Sequence, residues 1–320
     1  MRDQQEVTSP ALRTRHVFIV GVSRSGTTLM MKTLNTSDEV AISNENHFLG
    51  HLLPWEGARH QFRRFGDLRN DENVHRLVDF IYSGAFAKSS RLRGLSRHWR
   101  WIIKKVGRDD LQHRILDSDR TERALFEIMM QVYAEGRPVI GEKTPAHVRY
   151  VPTIMAWFPD ARVIHMLRDP RAVFVSELRR RKREAVTVPY KQLSRIGFLF
   201  KLFIMLETTL AWRESATLLK KYRRLYPDRY YLLRFEDLVS EPEPHIRALC
   251  AYLGISFQQE LLNQIVVSKG FQAGQSGFDA QAAQRWQKHI DPWIERWYSF
   301  WFESDLKSFG YSPTRSTDGH

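Results

Sequence analysis

The stretch His16-Val-Phe-Ile-Val-Gly-Val-Ser-Arg-Ser-Gly-Thr-Thr-Leu-Met30 decides the fold. Its first residues form a short β-branched and aromatic run that stops at Gly21, and Leu29, Met30 and Leu34 then recur at helical spacing. The order is strand, glycine turn, helix. A turn in that setting aims free backbone amides at a phosphate. A nucleoside-triphosphate loop would carry lysine directly after its last glycine, then Ser or Thr for Mg²⁺. Here Thr27 holds that position and the basic residue, Arg24, lies inside the loop. The segment is therefore expected to hold a phosphate, without the lysine that reaches β/γ-phosphates.

Working outward, Arg137–Gly141 reads as a second strand and Val148–Phe158 as a helix stopped by Pro159. Ala161–Leu167 reads as a third strand. Asp169 can cap the next helix while Pro170 takes its first position, where a missing N–H costs nothing. Gly197–Tyr226 is helical, Tyr230–Phe235 is a fourth strand, and Glu241-Pro-Glu-Pro244 opens another helix. Strands separated by helices predict an α/β fold of three layers, a P-loop-like arrangement with a central parallel β-sheet flanked by helices. The basic, aromatic stretch of about 55–125 has helical patterns and reads as a helical insertion. One domain over 16–312 is expected, with flexible tails at 1–15 and 313–320.

The chain has 320 residues, 42% hydrophobic and 27% charged, which excludes a disordered or fibrous class. Its single cysteine, Cys250, cannot close an intramolecular disulfide, and residues 1–16 mix charges with Pro and Ser, unlike a signal peptide or anchor. A cytoplasmic location is expected. Lys and Arg (49) exceed Asp and Glu (36), giving a formal charge of +13. That surplus favours an anionic partner without choosing which anion. The greasy run Ile196–Leu206 is broken by Lys201 and ended by Glu207, short of the ~18 apolar residues of a membrane span. A buried helix is expected there.

The segment Gly21-Val-Ser-Arg-Ser-Gly-Thr-Thr-Leu-Met30 resembles the 5′-phosphosulfate loop of sulfotransferases that use 3′-phosphoadenosine 5′-phosphosulfate (PAPS), closest to the tyrosyl-protein and bacterial branches. Arg168-Asp-Pro-Arg-Ala-Val-Phe-Val-Ser176 is similar to that family's 3′-phosphate motif. Gly141-Glu-Lys-Thr-Pro145 resembles its central lysine motif, and Leu233-Arg-Phe-Glu-Asp-Leu238 its later strand motif. The likeness runs over roughly residues 15–310 and is weakest between 50 and 135. It implies a P-loop-like fold and PAPS as sulfuryl donor, leaving 3′,5′-ADP. It also implies a cofactor site of Arg24, Ser25, Gly26, Thr27, Thr28, Arg168 and Ser176. An arginine after a parallel strand lies where open α/β sheets bind ligands, and its planar fork suits a phosphate monoester.

Sulfuryl transfer needs an acceptor that loses a proton as it attacks and a leaving phosphate whose charge is neutralised. The resemblance places Lys143 and Arg24 around the bridging oxygen. In the cytosolic branch a histidine two residues after the lysine is the base, but Pro145 stands there. In the tyrosyl-protein branch the base is a glutamate about twenty residues after the loop arginine, which corresponds to Glu45 in Val40-Ala-Ile-Ser-Asn-Glu-Asn-His47. Glu45 is taken as the base, with His47 and then His147 in reserve. Phe235 departs from the family, where tyrosine is common, and Arg285-Trp286 resembles a segment that closes over the nucleotide. No HExxH, paired CxxC or His/carboxylate cluster at ligand spacing occurs, and the chemistry calls for no metal.

Two basic features lie outside these motifs. Arg91, Arg93, Arg97, Arg100, Lys104 and Lys105 interleave with Trp99, Trp101 and aliphatic residues, as on a helix lying on an anionic membrane, and Arg179–Arg183 is expected to follow the 3′-phosphate helix. Both also suit solvated or core-packed helix faces. The expected acceptor is a hydroxyl or amine, acidic or lipid-linked, with peripheral contact to an anionic membrane. Carbohydrate, lipid, polyketide and peptide acceptors all fit, and no oligomeric state follows. A P-loop nucleotide or small-molecule kinase is the alternative, disfavoured by Thr27. A basic nucleic-acid-binding module would leave the spacing of Arg24, Lys143, Arg168 and Ser176 a coincidence, and nucleic acid is not an expected partner.

Overall fold

The strands alternate so that both faces of each can be buried, and the architecture follows from that. The computed structural model describes residues 15–50, 57–83, 102–183, 197–263 and 276–312. Within them β1 (Arg15–Gly21), β2 (Val40–Ser43), β3 (Val139–Lys143), β4 (Arg162–Leu167) and β5 (Tyr230–Arg234) form one parallel sheet in the order β2-β3-β1-β4-β5. The sequence reading found all but β2, whose four residues are too few to show a period.

Successive side chains of a strand point to opposite faces. Phe18, Val20, Ile140 and Val163 enter one buried cluster, and Val17, Ile19, Val139 and Ile164 enter another. The second cluster is closed by α1 (Thr27–Leu34), α9 (Phe235–Ser240) and α10 (Pro242–Leu253). The first is closed by α5 (Glu122–Ala134), α6 (Val151–Trp157), α7 (Pro170–Arg183), α8 (Gly197–Leu225), α11 (Pro292–Trp301) and α12 (Glu303–Ser308). Three layers result, as a parallel sheet covered on both faces requires. Between β2 and β3 the described chain adds only helices, α2 (Ala58–Phe62), α3 (Asp71–Tyr82) and α4 (Arg108–Leu116) before α5.

Two local features fix how the chain leaves β4. Asp169 Oδ1 accepts from the Arg171 amide at 2.8 Å, so the expected cap at the start of α7 is formed. Trp212 of α8 is fully buried and its indole N–H donates to the Arg168 carbonyl at 2.8 Å, fixing where the chain leaves β4. The greasy run is not the wholly buried helix expected of it: Phe200, Ile204 and Met205 are buried, whereas Phe198, Leu199, Phe203 and Leu206 are exposed. Of the basic tryptophan segment, residues 91–101 lie outside the described residues, and Ile102 is buried in the core.

His165, in the middle of β4, is enclosed with its ring nitrogens on Tyr230 Oη (2.7 Å) and Ser215 Oγ (3.0 Å), and burial lowers its pKa from 6.5 to about 3. The unfolded chain therefore binds a proton here that the folded one refuses. This contribution to stability is complete above the unfolded pKa and is lost at about 1.4 kcal/mol per pH unit as pH falls from about 6.5 towards 3. Urea unfolding at pH 7, 6 and 5 should show that slope, and His165→Gln should flatten it.

Candidate functional site

Every group expected at the site hangs from the end of a parallel strand or from the helix after it. Strand order reverses about β1, whose neighbours are β3 and β4, and the crevice at such a switch point is where open α/β sheets bind ligands. The loop after β1 carries Arg24 to Gly26, and α1 opens with Thr27 and Thr28. The turn after β2 carries Glu45, β3 ends at Lys143, and Arg168 follows β4. A cleft of about 350 Å³ lies over these ends, lined by Ser23, Arg24, Gly26, Thr27, Thr28, Glu45, Pro145, Arg168, Ser176 and Arg180.

The loop is closed by a hydrogen bond from the Ser25 amide to the Val22 carbonyl (3.2 Å) and held by close packing. Gly26 has φ 90°, and a Cβ there would lie 2.5 Å from the Phe235 ring. Arg24 also sits in the left-handed region, with φ 74°. α1 begins at Thr27 with no side-chain cap, so its first amides face the cleft beside a favourable dipole. Ser25 Oγ is buried without a hydrogen-bond partner among the described residues, and so is Arg168 Nε. Two such donors at a basic, capless helix start fit an anionic ligand with phosphate groups.

Arg168 does not pair with Asp169, which instead binds Arg171 through both oxygens. The Arg168 guanidinium lies 4.1 Å from the Phe235 ring centroid and donates to the carbonyls of Arg24 (3.0 Å) and Ala282 (3.1 Å). Phenylalanine in place of tyrosine thus gives Arg168 a stacking platform. Burial lowers this guanidinium's pKa, and the Glu236 carboxylate opposes that most, yet arginine stays charged. An arriving phosphate would relieve the unfavourable burial. Arg24 Nε donates to Ser176 Oγ at 3.0 Å, joining the loop to α7.

On the other side of the cleft, the buried Lys143 ammonium contacts Glu45 Oε1 at 2.6 Å, while the Glu45 side chain keeps 33% exposure. His47 Nε2 lies 3.7 Å from Glu45 Oε2. His147 is fully buried, with Nδ1 on Glu142 and Nε2 on the Leu49 amide, so neither nitrogen is presented to an acceptor. Arg24 thus joins Arg168 and Ser176, and Glu45 joins Lys143, while Ser25 and Lys143 are buried behind the lining residues rather than part of the cleft wall. Arg180, read in the sequence only as part of the basic run Arg179–Arg183 beyond the helix, lies on α7 itself and lines the cleft. Its position four residues after Ser176 on a helix is the signal that could have found it.

A family profile described as the sulfotransferase family matches residues 16–259. The omega-hydroxy-beta-dihydromenaquinone-9 sulfotransferase Stf3 of Mycobacterium tuberculosis is 32% identical over 261 residues, 75% of this chain and 62% of the relative. A putative protein-tyrosine sulfotransferase of Caenorhabditis briggsae is 22% identical over 247 residues, 77% of this chain and 68% of the relative. The sulfotransferase domain of the Synechococcus PCC 7002 olefin synthase superposes with TM-score 0.54 at 19% identity, covering 97% of this chain and 99% of that one. The chain spans less than two thirds of the length of the mycobacterial relative.

The Gly26 packing yields a double-mutant test. Gly26→Ala should destabilise the protein by about 1–3 kcal/mol through backbone strain, and by more through the Phe235 contact. Adding Phe235→Ala should make the Gly26→Ala step cheaper, because only the strain is left; equal costs in both backgrounds, read by urea unfolding, would remove the contact from the account.

Proposed function

The chain belongs to the sulfotransferase family, and we propose that it moves the sulfuryl group of PAPS to a hydroxyl or amine acceptor, releasing 3′,5′-ADP. The observation that carries this is the pairing of a capless helix start after the Gly26 turn with a separate stacked arginine at the same cleft, an arrangement suited to two anions. The amides and hydroxyls of Ser25, Gly26, Thr27 and Thr28 take the 5′-phosphate. Arg168 and Ser176 take the 3′-phosphate, with Arg24 between them and Arg180 on the rim. Thr27 leaves no lysine for a triphosphate, which disfavours the kinase reading.

PAPS supplies a sulfuryl group already joined to a phosphate leaving group. Glu45 accepts the proton of the acceptor O–H or N–H as the new bond to sulfur forms and the sulfur–oxygen bond to phosphate breaks. Lys143 and Arg24 neutralise the charge that gathers on that phosphate oxygen. The Lys143 ammonium stands 2.6 Å from Glu45 Oε1, which sets the two proposed groups side by side. Once Glu45 holds the proton, the pair weakens and the ammonium is released toward the leaving oxygen.

The acceptor follows from the relatives only as a class, since one acts on a menaquinone-derived lipid and another is named for protein tyrosine. A lipid-linked acceptor at an anionic bilayer is favoured by one observation. Every large apolar side chain exposed among the described residues lies on α8 or α11. Leu199, Phe203, Leu206 and Leu210 share one face of α8, and Arg213 and Lys221 continue that face. Apolar side chains at the acyl boundary with cations on headgroups is the pattern of an interfacial helix. No helix of the described residues is long and apolar enough to cross a membrane.

Calorimetry should show 3′,5′-ADP binding far more tightly than 5′-AMP or ATP without Mg²⁺, and equal affinity for 5′-AMP would sink the nucleotide assignment. Arg168→Ala should cost about 1.5–3 kcal/mol for 3′,5′-ADP and little for 5′-AMP. With labelled PAPS and fractionated host extract, Glu45→Gln should lower turnover by ~10²–10⁴ at nearly unchanged nucleotide affinity; normal turnover moves the base role to His47. For the bilayer, the protein should float with phosphatidylglycerol vesicles at low salt, and Phe203→Ser with Leu210→Ser should stop it. A protein left at the bottom of the gradient, or a dimer that the same substitutions dissociate, would overturn the membrane contact.

A further inference from the structure

Glu142 points away from the cleft. It pairs in register with Phe18, whereas Lys143 pairs with Ile19, so the two side chains leave opposite faces of β3. Glu142 is fully buried, and its two oxygens are shared out. Thr144 Oγ1 donates to Oε2 at 2.5 Å and His147 Nδ1 donates to Oε1 at 2.5 Å. A carboxylate only accepts, so both partners must spend their proton on it. Each is then left with an acceptor, and each acceptor meets a backbone amide of the turn that holds the proposed base. Thr144 Oγ1 receives the Asn46 N–H at 3.3 Å and His147 Nε2 receives the Leu49 N–H at 3.3 Å. Those amides flank His47, whose φ of 50° turns the chain, and Asn46 follows Glu45 directly. Phe48 seals the arrangement by stacking on Phe126 at 4.8 Å, and His147 lies edge-on to that ring.

We propose that Glu142, Thr144 and His147 are positioning residues whose two-armed hydrogen-bond network holds the 44–49 turn so that Glu45 faces Lys143. None of the three lines the cleft. The direction of every bond is fixed by the one group that cannot donate, so the turn has a single register relative to β3. Within a low-dielectric, aromatic surround, a fully satisfied network is rigid, and one left partly unsatisfied is costly. The same strand thus supplies Lys143 on one face and the support of its carboxylate partner on the other. This inference rests on Glu45 being the base.

The experiment compares His147→Leu, which cannot accept the Leu49 amide, with His147→Gln, which can. Two readouts are used. Hydrogen exchange of the full-length protein with 3′,5′-ADP bound should show faster exchange in peptides spanning 44–49 for His147→Leu, by tenfold or more, with peptides of β1 and β4 unchanged. Turnover of labelled PAPS with host extract should fall about 30-fold while 3′,5′-ADP affinity stays within threefold. His147→Gln should restore most of both. Thr144→Val should act like His147→Leu, and Thr144→Ser like the native residue. In a Glu45→Gln background His147→Leu should cost turnover little more, because the carboxylate it positions has already lost its role. Unchanged protection of 44–49 in His147→Leu overturns the proposal, as does a fall in nucleotide affinity matching that in turnover. Full turnover in Glu45→Gln strikes instead at the base assignment, and the exchange result still decides whether the network holds the turn.

Discussion

Parallel pairing of β1 with β3 on one side and β4 on the other is the constraint on which the rest depends. It brings the ends of strands far apart in sequence to one edge, within reach of one ligand. Arg24, Glu45, Lys143 and Arg168 follow four successive strands, so no single loop has to carry the chemistry. The helices then serve that edge. α1 offers its uncapped start, α7 brings Ser176 and Arg180, and α8 holds the Arg168 carbonyl through Trp212.

The charge distribution makes sense on this frame. A formal charge of +13 does no more than favour an anionic partner, but the structure separates arginines by task. Arg171 is consumed by Asp169 and stacks on Trp286, and Arg181 bridges Glu177 and Glu207. Arg168 is spent on carbonyls and an aromatic ring, which hold its plane without neutralising it. A planar cation fixed in this way would lose little freedom on taking the proposed phosphate, so little binding energy would go into ordering the side chain.

Most of this was legible in the chain itself, for identifiable reasons. Four strands declared themselves as apolar runs bounded by glycine, proline or charge, and Asp169-Pro170 announced α7 by its cap. β2 was hidden because Val40–Ser43 is too short for a period, although it sets where Glu45 stands. Phe235 read as the end of a strand and is instead the first residue of α9, under Arg168 and against Gly26. Such a double contact joins residues far apart in sequence and has no local signature. The same holds for Thr144 and His147, whose partners Asn46 and Leu49 are 98 residues away. His147 looked like a spare base because sequence shows a histidine beside a lysine but not that both its nitrogens are occupied.

The central claim is that these strand ends form one site with the sulfuryl position beside the Lys143–Glu45 pair. A crystal structure with 3′,5′-ADP tests it most directly. The account predicts the 5′-phosphate on the amides of residues 25–28, the 3′-phosphate between Arg168 and Ser176, and the outward face of the 5′-phosphate turned to Lys143 and Glu45. A nucleotide bound with its 5′-phosphate away from the Gly26 turn, or with Arg168 still on the Arg24 and Ala282 carbonyls and no phosphate in contact, would contradict it.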